Sequence, residues 1–295
     1  MMGRILNFGS INIDTVYSVE RIARPGETVS CTALSRHAGG KGANQSLAAA
    51  RAGARVMHVG RIGREAEWIL RSMEKDGVDV SGVRVSDGPS GHAVIQVDAE
   101  GQNSIVIFGG ANREISEIQV DDALATAGPN DLVLIQNEIN GVPYLLRRAA
   151  ERGVPAYFNT APMTGEVPGY PLDLVHTFFV NETEGGALTG QTAVEGILGR
   201  MLEMYPEAHV VLTLGSRGVA YADRERTYRR EAERKVRAVD TTGAGDTFVG
   251  YYTAAVARGL SVPEALALAN LAAACCVTKP GAADSIPRSE ELEEL

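Results

Sequence analysis

From Leu132 onward, strand-length apolar runs alternate with segments of helical period, and this alternation restricts the possible folds more than any other feature. Leu132 to Gln136, Pro155 to Asn159, Val175 to Val180, His209 to Leu214 and Val219 to Ala222 read as strands. Pro143 to Arg152, Ala193 to Tyr205, Ala244 to Arg258 and Pro263 to Val277 carry the spacing of helices. Strands separated by helices are joined by crossovers, so the expected fold class is α/β around a doubly wound, mostly parallel sheet. With 295 residues, 44 % of them hydrophobic, there is material for one such domain spanning 1–295.

The N-terminal half is mixed. Ile5 to Gly9 reads as a buried strand, with Asn12 and Asp14 just beyond it, where open α/β sheets place ligand groups. Gly42 to Arg51 reads as a helix, Arg55 to Gly60 as a strand, and Glu65 to Asp76 as an amphipathic helix with Ile69, Leu70 and Met73 on one face. Between these, Thr15 to His37 alternates around a Pro25-Gly26 turn, and Ala93 to Val97 and Ser104 to Phe108 alternate around Glu100-Gly101. The spacing predicts antiparallel strands, so a small β element is expected to be inserted in two pieces, about 13–37 and 91–110. The mixed-charge segment Arg224 to Arg237 is expected to be a solvated hairpin.

A net charge of −9 argues against a nucleic-acid partner. No apolar run reaches the ~20 residues of a membrane-spanning helix, and Met1 to Ser10 is too short for a secretory leader. The three cysteines, Cys31, Cys275 and Cys276, are too few for a disulfide scaffold. The adjacent pair lies in the apolar run Leu266 to Val277, which predicts small buried residues on a helix. A soluble, cytoplasmic protein without a membrane partner is expected.

Two common phosphate motifs are absent: the glycines at 39, 40 and 42 and those at 243, 245 and 250 have neither Walker nor dinucleotide-fold spacing. The chain offers instead Asp240-Thr241-Thr242-Gly243-Ala244-Gly245-Asp246-Thr247-Phe248. Three small residues at a helix start let backbone N–H groups converge on an anion, and Asp246 on the first turn can take a proton from a hydroxyl beside it. In Gly39-Gly40-Lys41-Gly42-Ala43-Asn44-Gln45, glycines permit close backbone approach, while Lys41 and Asn44 can grip hydroxyls. Asn181-Glu182-Thr183-Glu184 matches a capping box and also stands where phosphates and hydrated Mg²⁺ can lie. Thr213-Leu214-Gly215-Ser216-Arg217-Gly218 is a strand end with a glycine turn, and Glu138 is an acid just past another strand.

Together these segments resemble the ribokinase-like (PfkB) family of carbohydrate and nucleoside kinases over nearly the whole chain, from Asn7-Phe8-Gly9-Ser10-Ile11-Asn12-Ile13-Asp14 to Lys279-Pro280-Gly281-Ala282. The resemblance implies ATP-dependent phosphorylation of a primary hydroxyl on a small sugar, most of all D-ribose, with a nucleoside or another sugar as the alternative. It implies Asp246 as the base, with Gly243, Ala244 and Gly245 forming the anion hole. Asn12, Asp14, Gly39, Gly40, Lys41, Asn44 and Glu138 would hold the sugar, and Asn181 and Glu184 would hold Mg²⁺ and phosphates through water. Thr213, Gly215, Gly218 and Asn270 would line the ATP site. A monovalent cation, usually K⁺, would sit at Asp240, Thr242, Cys276, Lys279, Gly281 and Ser285. The two-piece β element would be a lid over the sugar and a homodimer interface. One departure stands out: Arg64 and Trp68 replace an Asp and a Gly in the family's acidic turn, so that turn is expected to differ locally. His92 reads as an ordinary strand residue, and Met163 as a place where specificity can diverge.

Overall fold

The computed structural model describes residues 3–225, 227–230, 232 and 235–293. In chain order the strands are β1 (Arg4–Phe8), β2 (Asn12–Val19), β3 (Cys31–Gly39), β4 (Arg55–Gly63), β5 (Val78–Ser86), β6 (Gly91–Val97), β7 (Asn103–Phe108), β8 (Leu132–Gln136), β9 (Ala156–Asn159), β10 (Val175–Asn181), β11 (His209–Thr213), β12 (Val219–Ala222) and β13 (Thr227–Arg230). The helices are α1 (Lys41–Arg51), α2 (Glu67–Lys75), α3 (Glu117–Leu124), α4 (Val142–Glu151), α5 (Glu182–Thr189), α6 (Val194–Met204), α7 (Ala244–Ala257), α8 (Val262–Cys276) and α9 (Ser289–Glu293).

A nine-stranded sheet runs β13-β12-β11-β10-β9-β8-β1-β4-β5. The strands from β11 to β5 in that order pair in parallel, and only β12 and β13 pair antiparallel. Alternate residues of β1 serve the two faces, as the pleat requires. Ile5 joins a cluster with Ala48, Tyr251 and Leu266 beneath α1, α7 and α8, whereas Leu6 and Phe8 join Leu146 and Ile197 under α4 and α6. The chain winds first toward β4 and β5 and then returns through β8 to β11. The switch of direction therefore lies between β1 and β8, where open α/β sheets gather ligands at the carboxyl ends of strands.

A separate sheet, β3-β2-β6-β7, is built from the two alternating segments. Within each segment pairing is antiparallel, but β2 and β6, which join the segments, run parallel, with Asp14 beside Ala93. Both strands follow parallel strands of the main sheet, β1 and β5, and so leave it in the same sense.

Three elements differ from expectation. Val78–Ser86 is a strand, and Glu117–Leu124 a helix capped by Ser116, whose side chain accepts from Gln119 N. The helix expected from Glu65 is split: residues 64–66 form a 3₁₀ turn, and α2 begins at Glu67. Arg64 is exposed there, and Trp68 packs partly buried against the core. The β12–β13 pair is antiparallel, as a hairpin requires, while residues 226, 231, 233 and 234 of the Arg224 to Arg237 segment lie outside the described residues. Cys275 and Cys276 are buried on α8. Among the described residues no helix is long and apolar enough to cross a membrane.

Candidate active site

The carboxyl ends of β1, β8, β10 and β11 lie along one edge of the main sheet, and the N-terminus of α7 comes to the same region through close packing against α1. Gly250 makes that approach possible: a Cβ there would stand 2.4 Å from Ala48 Cβ and 2.8 Å from the Gln45 carbonyl. Asp246, four residues earlier on α7, is thereby set against the start of α1. Its Oδ2 accepts from Asn44 Nδ2 at 3.0 Å and its Oδ1 from Gln45 Nε2 at 2.9 Å. Burial raises the Asp246 carboxyl above the ordinary range, while Lys41 and the two amides pull against that rise.

Lys41 opens α1. Its backbone N–H donates to Glu138 Oε2 at 3.0 Å, and its ammonium stands 3.8 Å from Glu138 Oε1. Ser10 closes the other side of that carboxylate, its hydroxyl donating to Oε2 at 2.5 Å. Negative charge at Asp246 raises the Lys41 pKa against its burial, with Glu138, Glu184 and Asp14 adding to the rise. Asp14 completes the group from β2. Burial pushes its pKa up to about 7; Glu138 adds to the shift, Lys41 opposes it, and Asp246 adds again. Gly39 is needed beside it, because a Cβ there would lie 2.0 Å from Asp14 Oδ2. Asn12 is held by Asn112, whose Nδ2 donates to Asn12 Oδ1 at 2.7 Å and whose Oδ1 accepts from Ile11 N at 3.0 Å. Asn44 Oδ1 is buried with no hydrogen-bond partner. Three carboxylates and an unpaired acceptor around one ammonium form a polar pocket suited to a polyol, whose hydroxyls can donate to every one of them.

Around this core the remaining residues fall into two groups. Gly243, with φ 77, caps α7, and the space facing Gly245 is open. The Ala244 N–H makes a 3.3 Å bond to the Thr241 carbonyl, so the freer part of the turn is at Gly245. Beside the turn, Asp240 Oδ1 accepts from the Thr242 N–H (2.9 Å) and hydroxyl (2.7 Å), and its Oδ2 from Gly281 N at 2.9 Å. Burial alone would raise the Asp240 carboxyl, but these donors hold it below its ordinary value. Cys276 Sγ lies 3.0 Å from Ser285 Oγ and 3.9 Å from the Thr242 carbonyl, and the Cys276 carbonyl accepts from Lys279 N at 3.2 Å. The six positions expected around a monovalent cation are thus neighbours, although the Lys279 ammonium turns to Glu291 at 2.5 Å. Oxygen donors from a carboxylate, a hydroxyl and carbonyls are the chemistry such a cation prefers.

At the far side, Asn181 and Glu184 form a full capping box: Asn181 Oδ1 accepts from Glu184 N at 2.9 Å, and Glu184 Oε2 accepts from Asn181 N at 3.0 Å. Burial raises the Glu184 carboxyl despite those donors. Thr213 ends β11, and Gly215 and Gly218 form the tight turn that follows, tied to α5 by Arg217 and Glu182 at 2.5 Å. Asn270 is buried on α8. His92 packs its ring against Phe108 and its Nδ1 donates to the Ser90 carbonyl at 3.2 Å, as a strand residue would, and Met163 packs at the core margin. Sequence reasoning missed Ser10 and Asn112 as partners of site residues. Only their positions, beside Gly9 and in the segment closing the second β piece, hinted at them.

The family model for pfkB family carbohydrate kinases matches residues 2–289. The chain belongs to that family. This carbohydrate kinase is 37% identical over 300 residues to a ribokinase of Haemophilus influenzae, covering 97% of this chain and 96% of that one. It is 31% identical over 305 residues to a deoxyribokinase of Salmonella typhimurium, with 97% and 96% covered. Among solved structures, Arabidopsis thaliana ribokinase complexed with ribose and ATP superposes with a TM-score of 0.90 at 32% identity, covering 100% of this kinase and 98% of that chain.

Proposed function

We propose that this carbohydrate kinase transfers the terminal phosphoryl of ATP to the 5-hydroxyl of D-ribose. The observation that carries the proposal is the pairing of Asp246 with Asn44. A buried carboxylate at a helix N-terminus is steadied by an amide whose own oxygen has no partner. A sugar hydroxyl donating to Asn44 Oδ1 lies beside the carboxylate that accepts a neighbouring hydroxyl's proton.

In this reading Asp246 removes the proton as the hydroxyl oxygen attacks phosphorus, and its raised pKa strengthens it as a base. The Gly243 to Gly245 turn and the N-terminus of α7 face the charge on the transferring group. Lys41, Glu138, Asp14, Asn12 and Asn44 fix the sugar, which matters because phosphoryl transfer depends on positioning and charge stabilisation rather than covalent help. Asn181 and Glu184 would hold hydrated Mg²⁺, an ion that keeps several waters and is bound through few protein groups together with phosphates. When bound, that ion supplies charge neutralisation on the phosphates. Asp240, Thr242, Cys276, Lys279, Gly281 and Ser285 would hold K⁺ beneath the hole, and Thr213, Gly215, Gly218 and Asn270 would line the ATP site. Residues 13–37 and 91–110 act as a lid over the sugar and as the interface of a homodimer. Unpaired cysteines suit a reducing cytoplasm.

A panel of pentoses, hexoses and nucleosides assayed for ADP release, with and without K⁺, tests the proposal. Turnover of D-ribose supports it. Inert ribose with an active nucleoside or 2-deoxyribose gives the site to the second reading, which the deoxyribokinase relative favours. Sugar binding without any turnover would leave a sensor that kept the fold.

A further inference from the structure

A chain of five wholly buried polar side chains, His58, Ser46, Asn7, Gln136 and Gln45, runs from the core to the carboxylate of Asp246. Its polarity is forced from the far end. The Gly9 carbonyl can only accept, so His58 Nε2, 3.1 Å away, carries the proton. Deep burial lowers the His58 pKa to about 4 and keeps the ring neutral, which leaves Nδ1 as an acceptor. Ser46 lies 2.8 Å from that nitrogen and spends its only proton on it. The Ser46 oxygen can then only accept from Asn7, whose Nδ2 donates to it at 2.7 Å and to the Gly42 carbonyl at 2.8 Å. Asn7 Oδ1 consequently receives Gln136 Nε2 at 2.9 Å, and the second proton of that nitrogen goes to Gln45 Oε1 at 2.7 Å. With its oxygen committed, Gln45 has only its NH₂ to offer Asp246 Oδ1 at 2.9 Å.

We infer that Gln45 is a positioning residue for phosphoryl transfer, its amide locked by the buried chain so that nitrogen and never oxygen meets Asp246. The inference rests on the reading of Asp246 as the base. A reversed amide would set a carbonyl oxygen against the carboxylate and favour its protonated form. The locked amide instead donates to Oδ1, while Asn44 donates to Oδ2 and shares its remaining oxygen with the pocket. Gln45 is thus the donor with no second duty at the sugar. The charged groups acting on Asp246 are Lys41 from α1, which favours the ionised form, and Glu138 beyond β8, which opposes it; Asp14 on β2 is coupled to the same carboxylate.

Gln45→Met keeps the volume and removes the donor. Gln136→Leu leaves Asp246 untouched and frees the Gln45 amide to turn, and Ser46→Ala breaks the chain two links further back. The kcat–pH profile with D-ribose and ATP-Mg²⁺ reads the sugar-bound enzyme, in which Asp14 is already engaged. In Gln45→Met its acid limb is expected to move up by about one pH unit, with kcat down on the order of tenfold and the ribose KM near wild type. Gln136→Leu and Ser46→Ala should shift it in the same direction by less. Thermal unfolding identifies any variant that fails to fold, and the other two then carry the test. An acid limb unmoved in the folded variants overturns the inference. Full turnover by Asp246→Asn overturns the base reading instead.

Discussion

Lys41 and Glu138 meet twice, through the Lys41 backbone N–H at 3.0 Å and through its ammonium at 3.8 Å. Glu138 thus ties the start of α1 to the end of β8 across the switch point, and Ser10, just past β1, joins the same oxygen. One carboxylate therefore sets both the charge and the placement of the turn that opens α1.

Glu138→Gln removes the charge and puts a donor where two or three donors already converge. Hydrogen bonds to a charged group are worth about 1.5–3 kcal/mol, so the sugar KM should rise roughly tenfold to a hundredfold. The ATP KM should change much less, because the proposed nucleotide residues lie beyond β10 and β11. Steady-state kinetics with each substrate varied checks this, and an unchanged sugar KM would remove Glu138 from the sugar site.

Burial pushes the Asp14 pKa up to about 7 from an ordinary value of 3.8. If the ionised form accepts sugar hydroxyls, kcat/KM for the sugar should climb through about pH 7, and binding near that pH should release a proton. Calorimetry in buffers of different ionisation enthalpy detects that proton. The stability sign is opposite. Between the two values the folded protein holds a proton that the unfolded chain has lost. The group's contribution is full below the unfolded pKa and lost as pH rises through about 7. Asp14→Asn should therefore stabilise the protein at pH 8 by on the order of 1–2 kcal/mol, gain little at pH 4, and lose the pH 7 limb. Urea titrations at the two pH values decide it.

What could be read from the chain follows from the range of the interactions involved. The main sheet announced itself because each buried strand is a local apolar run. β5 hid because Ser81-Gly82 interrupts the alternation of Val78, Val80, Val83 and Val85, at the place where the register with β4 shifts. α3 hid because it is a short helix with an ordinary cap. Asp246, Lys41 and Asn44 stand in motifs whose composition is unusual by itself. Ser10, Asn112, Gln45 and Gln136 gain their roles only from partners distant in sequence, and no local pattern encodes that.

Asp240 grips Thr242 and Gly281 at once, so it joins the turn before α7 to the segment after α8. If a monovalent cation sits among these groups, replacing K⁺ by tetramethylammonium should lower kcat about tenfold by loosening the hole. Asp240→Asn should work at that lower rate in either salt. Binding also stabilises the fold, by about 2.7 kcal/mol at a hundred times Kd, so wild type should melt higher in KCl and the variant should not. Equal melting of wild type in both salts would count against the site.

β7 is an edge strand of the small sheet, and Ile105, Val106, Ile107 and Phe108 are 50, 67, 60 and 49 % exposed. An apolar, unpaired edge of this kind is a pairing surface in a monomer. Strand alternation divides its residues. Ile107 aligns with Ala93 and Asp14 and shares the face of the polar pocket around Asp14, whereas Val106 aligns with Val94 and Thr15 on the opposite face. Val106→Glu therefore charges the edge without entering the pocket. Light scattering should show a dimer for wild type and a monomer for the variant, with binding weakened by the several kcal/mol that a buried, unpaired carboxylate costs. If the lid closes only when braced by its partner, the monomer's sugar KM should rise while kcat at saturation is kept. A wild-type monomer would leave the apolar edge without that explanation.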